Sequence, residues 1–298
     1  MTRKRGFWGM TKAAAALLRE RGWLAALVGI VVISVIFVIL GRWQFGRHEA
    51  RSERNQLIEA NYDADPVPLA ELIPAGQRTP TGTLPADLEW RQVTVTGEYL
   101  AEQTVLIRNR PHEQVGQAGQ VGVSGGNQQN GYLVVVPLQT EDGSVLFVDR
   151  GWIPAGVADA AKPDSVPAPP SGEVTVVSRL RPSEPVSDRG APEGQAVRIN
   201  VPALTEQTGV EGPVVGAFGA LVSEDPQAAD TPAAAEEPEV GLGINLSYSV
   251  QWDSFAIIAY ILFGVALVRE VRRRDEEAEE EEEPEDEGPP TLTRATYR

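Results

Sequence analysis

The sequence predicts a membrane protein in which two transmembrane helices flank an extracytoplasmic antiparallel β-rich domain, a small sheet or barrel. Two apolar runs lie near the ends, at Trp23–Leu40 and Trp252–Val268. Basic residues border both runs on the side nearer the chain terminus. Between them the apolar spacing changes to strict alternation over segments of six to ten residues, the period of a strand with one buried face.

The first run carries no charge and a single polar residue, Ser34. With Gly22 it spans about 28 Å of helix, close to a bilayer core of about 30 Å. A secretory signal would be shorter and followed by small residues at a cleavage site. This run leads instead into GRWQFGRHEAR, so an uncleaved helix is predicted over 22–41. The absence of breakers after Gly46 extends it as a juxtamembrane helix over 42–62. The second run predicts a helix over 248–268, stopped by Arg269, Arg272, Arg273 and Arg274. Basic residues stay cytoplasmic. Six of them precede the first helix and four follow it, but none lies in 236–251. Both termini are therefore expected in the cytoplasm of a multi-pass cell-membrane protein. Residues 1–21 form its basic N-terminus, and 269–298 form a basic stop and a disordered acidic tail.

The net charge of −16 is a property of that tail. Residues 275–287 hold 11 acids, and the remaining residues together carry only −5. Cysteine is absent, which excludes disulfides, thiolate metal sites and Cys nucleophiles. With two His and two Met, no site of several such ligands can be assembled within the chain, and no metal site is expected. Nucleic acid is not an expected partner. Three lysines against 23 arginines fit a GC-rich bacterial genome.

The β-rich domain is predicted over 63–223. It opens with a Pro/Gly/Ala-rich loop at 63–90, and strands are expected at 91–99, 104–110, 132–140, 144–152, 173–181, 196–201 and 213–222. Asp142-Gly143 marks a hairpin between two of them. A short helix is expected at 202–209, ended by Gly209. The stretch 114–131 reads as a flexible loop, and 224–243 as an Ala/Pro/Glu linker.

The outer membrane interface carries the candidate functional residues. Trp43-Gln44 closes the first helix and Gln251-Trp252 opens the second. An aromatic belt accounts for Trp43, Trp252 and Tyr248, but not for the polar residues beside them. Helical spacing stacks Arg47, Arg51 and Arg54 beneath Trp43 and places Tyr248, Gln251 and Phe255 on one face. Arg42 and Arg47 suit either lipid headgroups or the carboxylates of a ligand or partner. Asp253 is expected either to pair with Arg42 or to sit as a solvated helix end. His48 lies one turn past Gln44, and His112 follows Pro111 in a turn.

Several short segments together resemble the surfeit locus protein 1 family of cytochrome c oxidase assembly factors, in its bacterial, actinobacterial form. They are Leu40-Gly41-Arg42-Trp43-Gln44 with Arg47, Glu89-Trp90-Arg91-Gln92-Val93 leading to Gly97-Glu98-Tyr99, Gly131-Tyr132, Val148-Asp149-Arg150-Gly151-Trp152-Ile153-Pro154, Val197-Arg198-Ile199-Asn200, and Tyr248-Ser249-Val250-Gln251-Trp252. The resemblance runs from about residue 22 to 270. It implies a respiratory-chain chaperone, not an enzyme, that helps mature the haem-bearing subunit of a haem–copper oxidase. The implied partners are cytochrome c oxidase subunits and membrane lipid. It implies no resident cofactor, with haem a as a transient ligand. Some bacterial members of the family carry a His at the start of the second helix for this. The matching position here is Asn245, a poor iron ligand. The resemblance makes Arg42, Trp43, Gln44, Arg47, His48, Tyr248, Gln251 and Trp252 the candidates for the partner or haem interface. Arg91, Gly97, Tyr99, Asp149, Arg150, Gly151 and Trp152 form a structural motif. Within it, Asp149 and Arg150 are expected to form an ion pair at a strand end, and Gly151 to permit a bulge.

Two other functions fit the sequence. One is a permanent structural accessory subunit of a respiratory membrane complex. The other is a membrane-anchored hydrolase using Ser124 and His112, although no GxSxG motif is present.

Overall fold

A computed structural model describes residues 7–113 and 128–282. In chain order the elements are α1 (Phe7–Leu17), α2 (Arg21–Asn61), β1 (Val67–Pro68), α3 (Leu69–Leu72), β2 (Gln92–Tyr99), β3 (Val105–Glu113), β4 (Gln128–Thr140), β5 (Val145–Pro154), β6 (Glu173–Pro182), β7 (Gln195–Ala196), α4 (Val201–Thr208), β8 (Val214–Asp225) and α5 (Asn245–Glu282). The chain forms two compact units, Met1–Ser52 with Leu242–Arg298, and Glu53–Gly241.

The first unit is helical. Both α2 and α5 are long and apolar enough to cross a membrane, and they flank a β domain, as the sequence predicts. They run antiparallel. Trp23 meets Phe263 at 5.8 Å between ring centroids, and Phe37 meets Trp252 at 5.5 Å and Phe255 at 5.9 Å. Small residues at the crossing allow close approach: Ser34, Gly41, Ser249 and Ala256 are buried. A Cβ on Gly41 would stand 2.9 Å from Asp253 Oδ1 and 3.4 Å from the Ser249 carbonyl.

At the other end of the pair, α1 packs on α5, with Leu17 and Val271 buried. The Arg274 guanidinium grips Glu20 through both Nη atoms at 2.5 and 2.9 Å. The disorder expected from Asp275 onward is corrected here, because α5 stays helical to Glu282. Arg273 pairs with Glu270 and Glu277, and Arg274 also reaches Glu270. These i,i+3 and i,i+4 pairs offset repulsion within the acidic run. Residues 283–298 of the tail lie outside the described residues.

In the second unit, five strands close into a barrel in the order β2-β6-β8-β5-β4, with β4 returning to β2. Four seams are antiparallel, and the β5–β8 seam is parallel. Alternation sorts the side chains. Val93, Val95, Val134, Val136, Leu138, Leu146, Val148, Val174 and Val176 fill the interior. Val135, Val145, Phe147 and Phe218 face outward into a second core with Ile107, Ile199, Val201 and Leu204. β5 is thus buried on both faces and reads as a continuous apolar run. Gly97 allows closure, because a Cβ there would lie 2.1 Å from the Gln139 carbonyl oxygen.

Boundaries differ from the sequence prediction where tertiary pairing decides them. Gln128–Gly131, expected in the flexible loop, belong to β4 and pair with β3; residues 114–127 lie outside the described residues. Glu224 and Asp225, expected in the linker, complete β8 opposite β6. The strand expected at 196–201 reduces to β7, because Asn200 caps α4 through Oδ1 to the Ala203 amide. Gly209, with φ of 66°, closes that helix. Asp142 organises the β4–β5 hairpin. It accepts hydrogen bonds from Thr140 Oγ1 and the Ser144 amide and pairs with Arg78 at 2.8 Å. These contacts hold its carboxyl down to about 2, the Thr140 bond contributing most. The chain from 63 to 90 contains β1, α3 and two short 3-10 turns.

Gly97→Ala is expected to lower stability by about 2–3 kcal/mol, since the clash is with backbone that cannot rotate away. Thermal unfolding of the detergent-solubilised chain, or its resistance to protease, checks this.

Candidate functional site

The predicted interface residues lie where the two long helices cross. Trp43 is 56% exposed and Tyr248 41%. The Arg47 guanidinium lies 5.4 Å from the Trp43 ring centroid, a cation–π contact set by i,i+4 spacing. Arg51 does not join this stack; its Nη1 approaches Gly243, just before α5. Trp252 turns inward against Phe37 and Phe255. Arg42 and Gln251 are exposed. Gly41, Gln44 and His48 recur at spacings of three and four, which places them on one face of α2. Gly41 is buried, and Gln44 and His48 are half-buried. Gln44 Oε1 and His48 Nδ1 are enclosed without a hydrogen-bond partner, and the His48 ring lies 6.2 Å from Phe45. Asn245 is the first residue of α5.

Asp253 does not pair with Arg42. Its carboxylate lies against Gly41, and no described cation is recorded within ion-pairing distance of it. The sequence offered no signal for this approach, which depends on the absent side chain of a glycine one helix away.

The structural motif surrounds a buried charge pair inside the barrel. The expected Asp149–Arg150 pair does not form, because adjacent strand residues point to opposite faces. Arg150 points inward, with its side chain 0% exposed, and meets Glu224 of β8, 2% exposed, at 2.9 Å. Arg150 Nη1 donates to the Pro167 carbonyl at 3.0 Å. Tyr99 donates to the other Glu224 oxygen at 3.1 Å. Burial and the adjacent Glu224 charge raise the Tyr99 hydroxyl far above the ordinary phenol range.

Asp149 points outward and accepts the Gly151 amide at 3.1 Å. Burial pushes its carboxyl up to about 6. Residues 150 and 151 share one register position opposite Val134, between the Val135–Asp149 and Leu133–Trp152 pairs. Gly151 therefore carries the bulge, with φ of 125°. Trp152 packs on Gly131 and donates from Nε1 to the Arg110 carbonyl at 2.8 Å. Its backbone pairs with Ala233, so the linker is fixed at that point. His112 stacks on Trp152 at 4.7 Å and contacts Glu236 at 2.9 Å. That placement gives it no nucleophile to activate among the described residues, and Ser124 of the hydrolase alternative lies outside them.

Sequence reading missed a cation–aromatic ladder at the end of α2. Arg179 lies 3.6 Å over Tyr62, Tyr62 meets Trp90 at 5.9 Å, and Arg181 lies 3.6 Å over Trp90. The i,i+2 spacing of the two arginines on β6 was the available signal. Trp90 holds its place with φ of 69°. Trp90 and Arg91 continue the β2–β6 pairing through Leu180, and Arg91 Nη1 is enclosed without a partner. Asn61 Nδ2 donates to the carbonyls of Asp87 and Glu89. Burial lowers the Arg181 pKa.

The SURF1 family model matches residues 31–257. Uncharacterized SURF1-like proteins of Mycobacterium bovis and Mycobacterium tuberculosis are each 33% identical over 268 residues, which covers 88% of this chain and 89% of theirs. A SURF1-like protein of Monosiga brevicollis is 30% identical over 156 residues, covering 51% of this chain and 52% of its own.

Two predictions follow from the charges of the β domain. Glu224→Gln strands a buried guanidinium and is expected to cost about 3–5 kcal/mol in unfolding experiments. Asp149 behaves oppositely. Its folded pKa is raised, so its contribution to stability is present below about pH 4 and lost as pH rises through about 6. The loss is about 3 kcal/mol. Asp149→Asn, which keeps the Gly151 hydrogen bond, is expected to flatten stability between pH 4 and 6 and to raise it at pH 7. A series of denaturant titrations across pH reads both effects.

Proposed function

We propose a function from one premise: the chain belongs to the SURF1 family. We infer that it is a membrane-bound assembly factor for a haem–copper cytochrome c oxidase, acting on maturation of the haem-bearing subunit or its loading with haem a. Both termini face the cytoplasm and the barrel faces outward across the cell membrane, a reading supported by the basic flanks. The carrying observation is the helix crossing. Exposed Trp43 and Arg47 share a face there, beside enclosed polar atoms of Gln44 and His48. Unsatisfied polar atoms are costly in a lipid-facing helix pair, which supports a role for this crossing beyond anchoring.

Haem a is cargo in this reading. Asn245 is a poor iron ligand, and His48 is the one described imidazole of the helical unit. The contribution of the chain is therefore placed in holding the subunit that receives haem. Asn245 also favours a second reading, a permanent accessory subunit. Stoichiometric copurification with mature oxidase would support that; association confined to immature subunits supports assembly.

Reduced-minus-oxidised spectra of membranes lacking the gene are expected to lose most of the haem a band while keeping haem b and c. An unchanged spectrum with normal oxidase turnover would overturn the proposal. Trp43→Ala and Arg47→Ala are each expected to lower the haem a band several-fold, and deletion of 275–298 to leave it near the wild-type level. Equal bands in all three variants would count against the interface.

A further inference from the structure

Asp253 carries a feature that the assembly reading leaves unused. It lies at the start of the second apolar run, where an unpaired carboxylate is costly. Its Oδ1 is directed to the groove between the helices, 2.9 Å from where a Gly41 Cβ would stand, yet the residue is exposed at the groove edge. No described cation is recorded within ion-pairing distance of it. Arg42, one residue from Gly41, is exposed and forms no ion pair with Asp253, and Arg47 is engaged by Trp43. The next two groups along the same face of α2 are Gln44 Oε1 and His48 Nδ1, both enclosed and without partners. The exposed Asp253 carboxylate thus has no described donor, and two enclosed polar atoms without partners follow it along the neighbouring face of α2.

We propose that this groove seats a basic side chain, an arginine or lysine, from a transmembrane helix of the haem-bearing oxidase subunit. The inference rests on the assembly reading for the identity of that subunit. Charge and hydrogen-bond complementarity select the occupant. A guanidinium or ammonium supplies several donors and one positive charge, and it removes the cost of the isolated carboxylate. Glycine at position 41 is part of the device. Any larger residue would fill the space in which the carboxylate lies.

The test uses the tagged full-length chain in host membranes and measures capture of the haem-bearing subunit. Asp253→Asn and Asp253→Arg are expected to reduce capture at least tenfold at unchanged membrane abundance, while Asp253→Glu retains it. One Arg→Glu or Lys→Glu replacement near the outer membrane surface of the subunit is expected to restore capture by the Asp253→Arg chain. Capture unchanged in Asp253→Asn and Asp253→Arg overturns the proposal. So does lost capture that no such replacement restores, a result assigning the carboxylate to a lipid ammonium or to the helix pair itself. Failure of the assembly reading shows separately, as a haem a band retained in the gene deletion.

Discussion

The barrel depends on the Arg150–Glu224 pair. Burying a guanidinium is expensive unless its charge and most of its donors are met. Here Glu224 meets the charge and the Pro167 carbonyl takes another donor. Satisfying one side chain therefore fixes three parts of the unit. β5 must bulge at Gly151, β8 must run far enough to present Glu224, and the segment carrying Pro167 must fold back over the barrel. Tyr99, beside the β2–β4 closure, is tied to the same carboxylate. An apolar replacement of the pair would fill the volume without specifying any of these positions.

The end of α2 joins the barrel by a different kind of contact. Asn61 and Tyr62 use amide and carbonyl groups, while Arg179 and Arg181 stack on Tyr62 and Trp90. Ile58 is buried nearby in the same unit. The strands thus hold the last turns of the helix that begins as a membrane span. This gives the Glu89-Trp90-Arg91 segment a structural reason within the barrel.

What the sequence disclosed follows the range of the interactions involved. The two apolar helices and the strands β2 to β6 and β8 are written in local period, hydropathy and turn residues, and their existence was legible. The Trp43–Arg47 contact was legible for the same reason, since helical spacing fixes it. Glu224 was not. It lies 74 residues from Arg150 and sits in a stretch whose acids, alanines and prolines look like linker. The helical course of 275–282 was hidden because composition registers repulsion among glutamates but not the arginines that answer it from one turn away. The Asp253 groove needed two helices aligned in register, which no single segment encodes.

The parallel β5–β8 seam has a consequence for the order in which the chain folds. The last strand synthesised sits between β6 and β5. Until it emerges, the nascent sheet has two open edges and an apolar interior with no wall on one side. Glu224, the charge partner of the buried guanidinium among the described residues, arrives with that same strand. Closure and neutralisation are thus one event, placed just ahead of the second membrane helix in the chain. A ribosome stalled before Val214 would display a sticky, half-built sheet, so the unit gains its protection from misassociation late in synthesis.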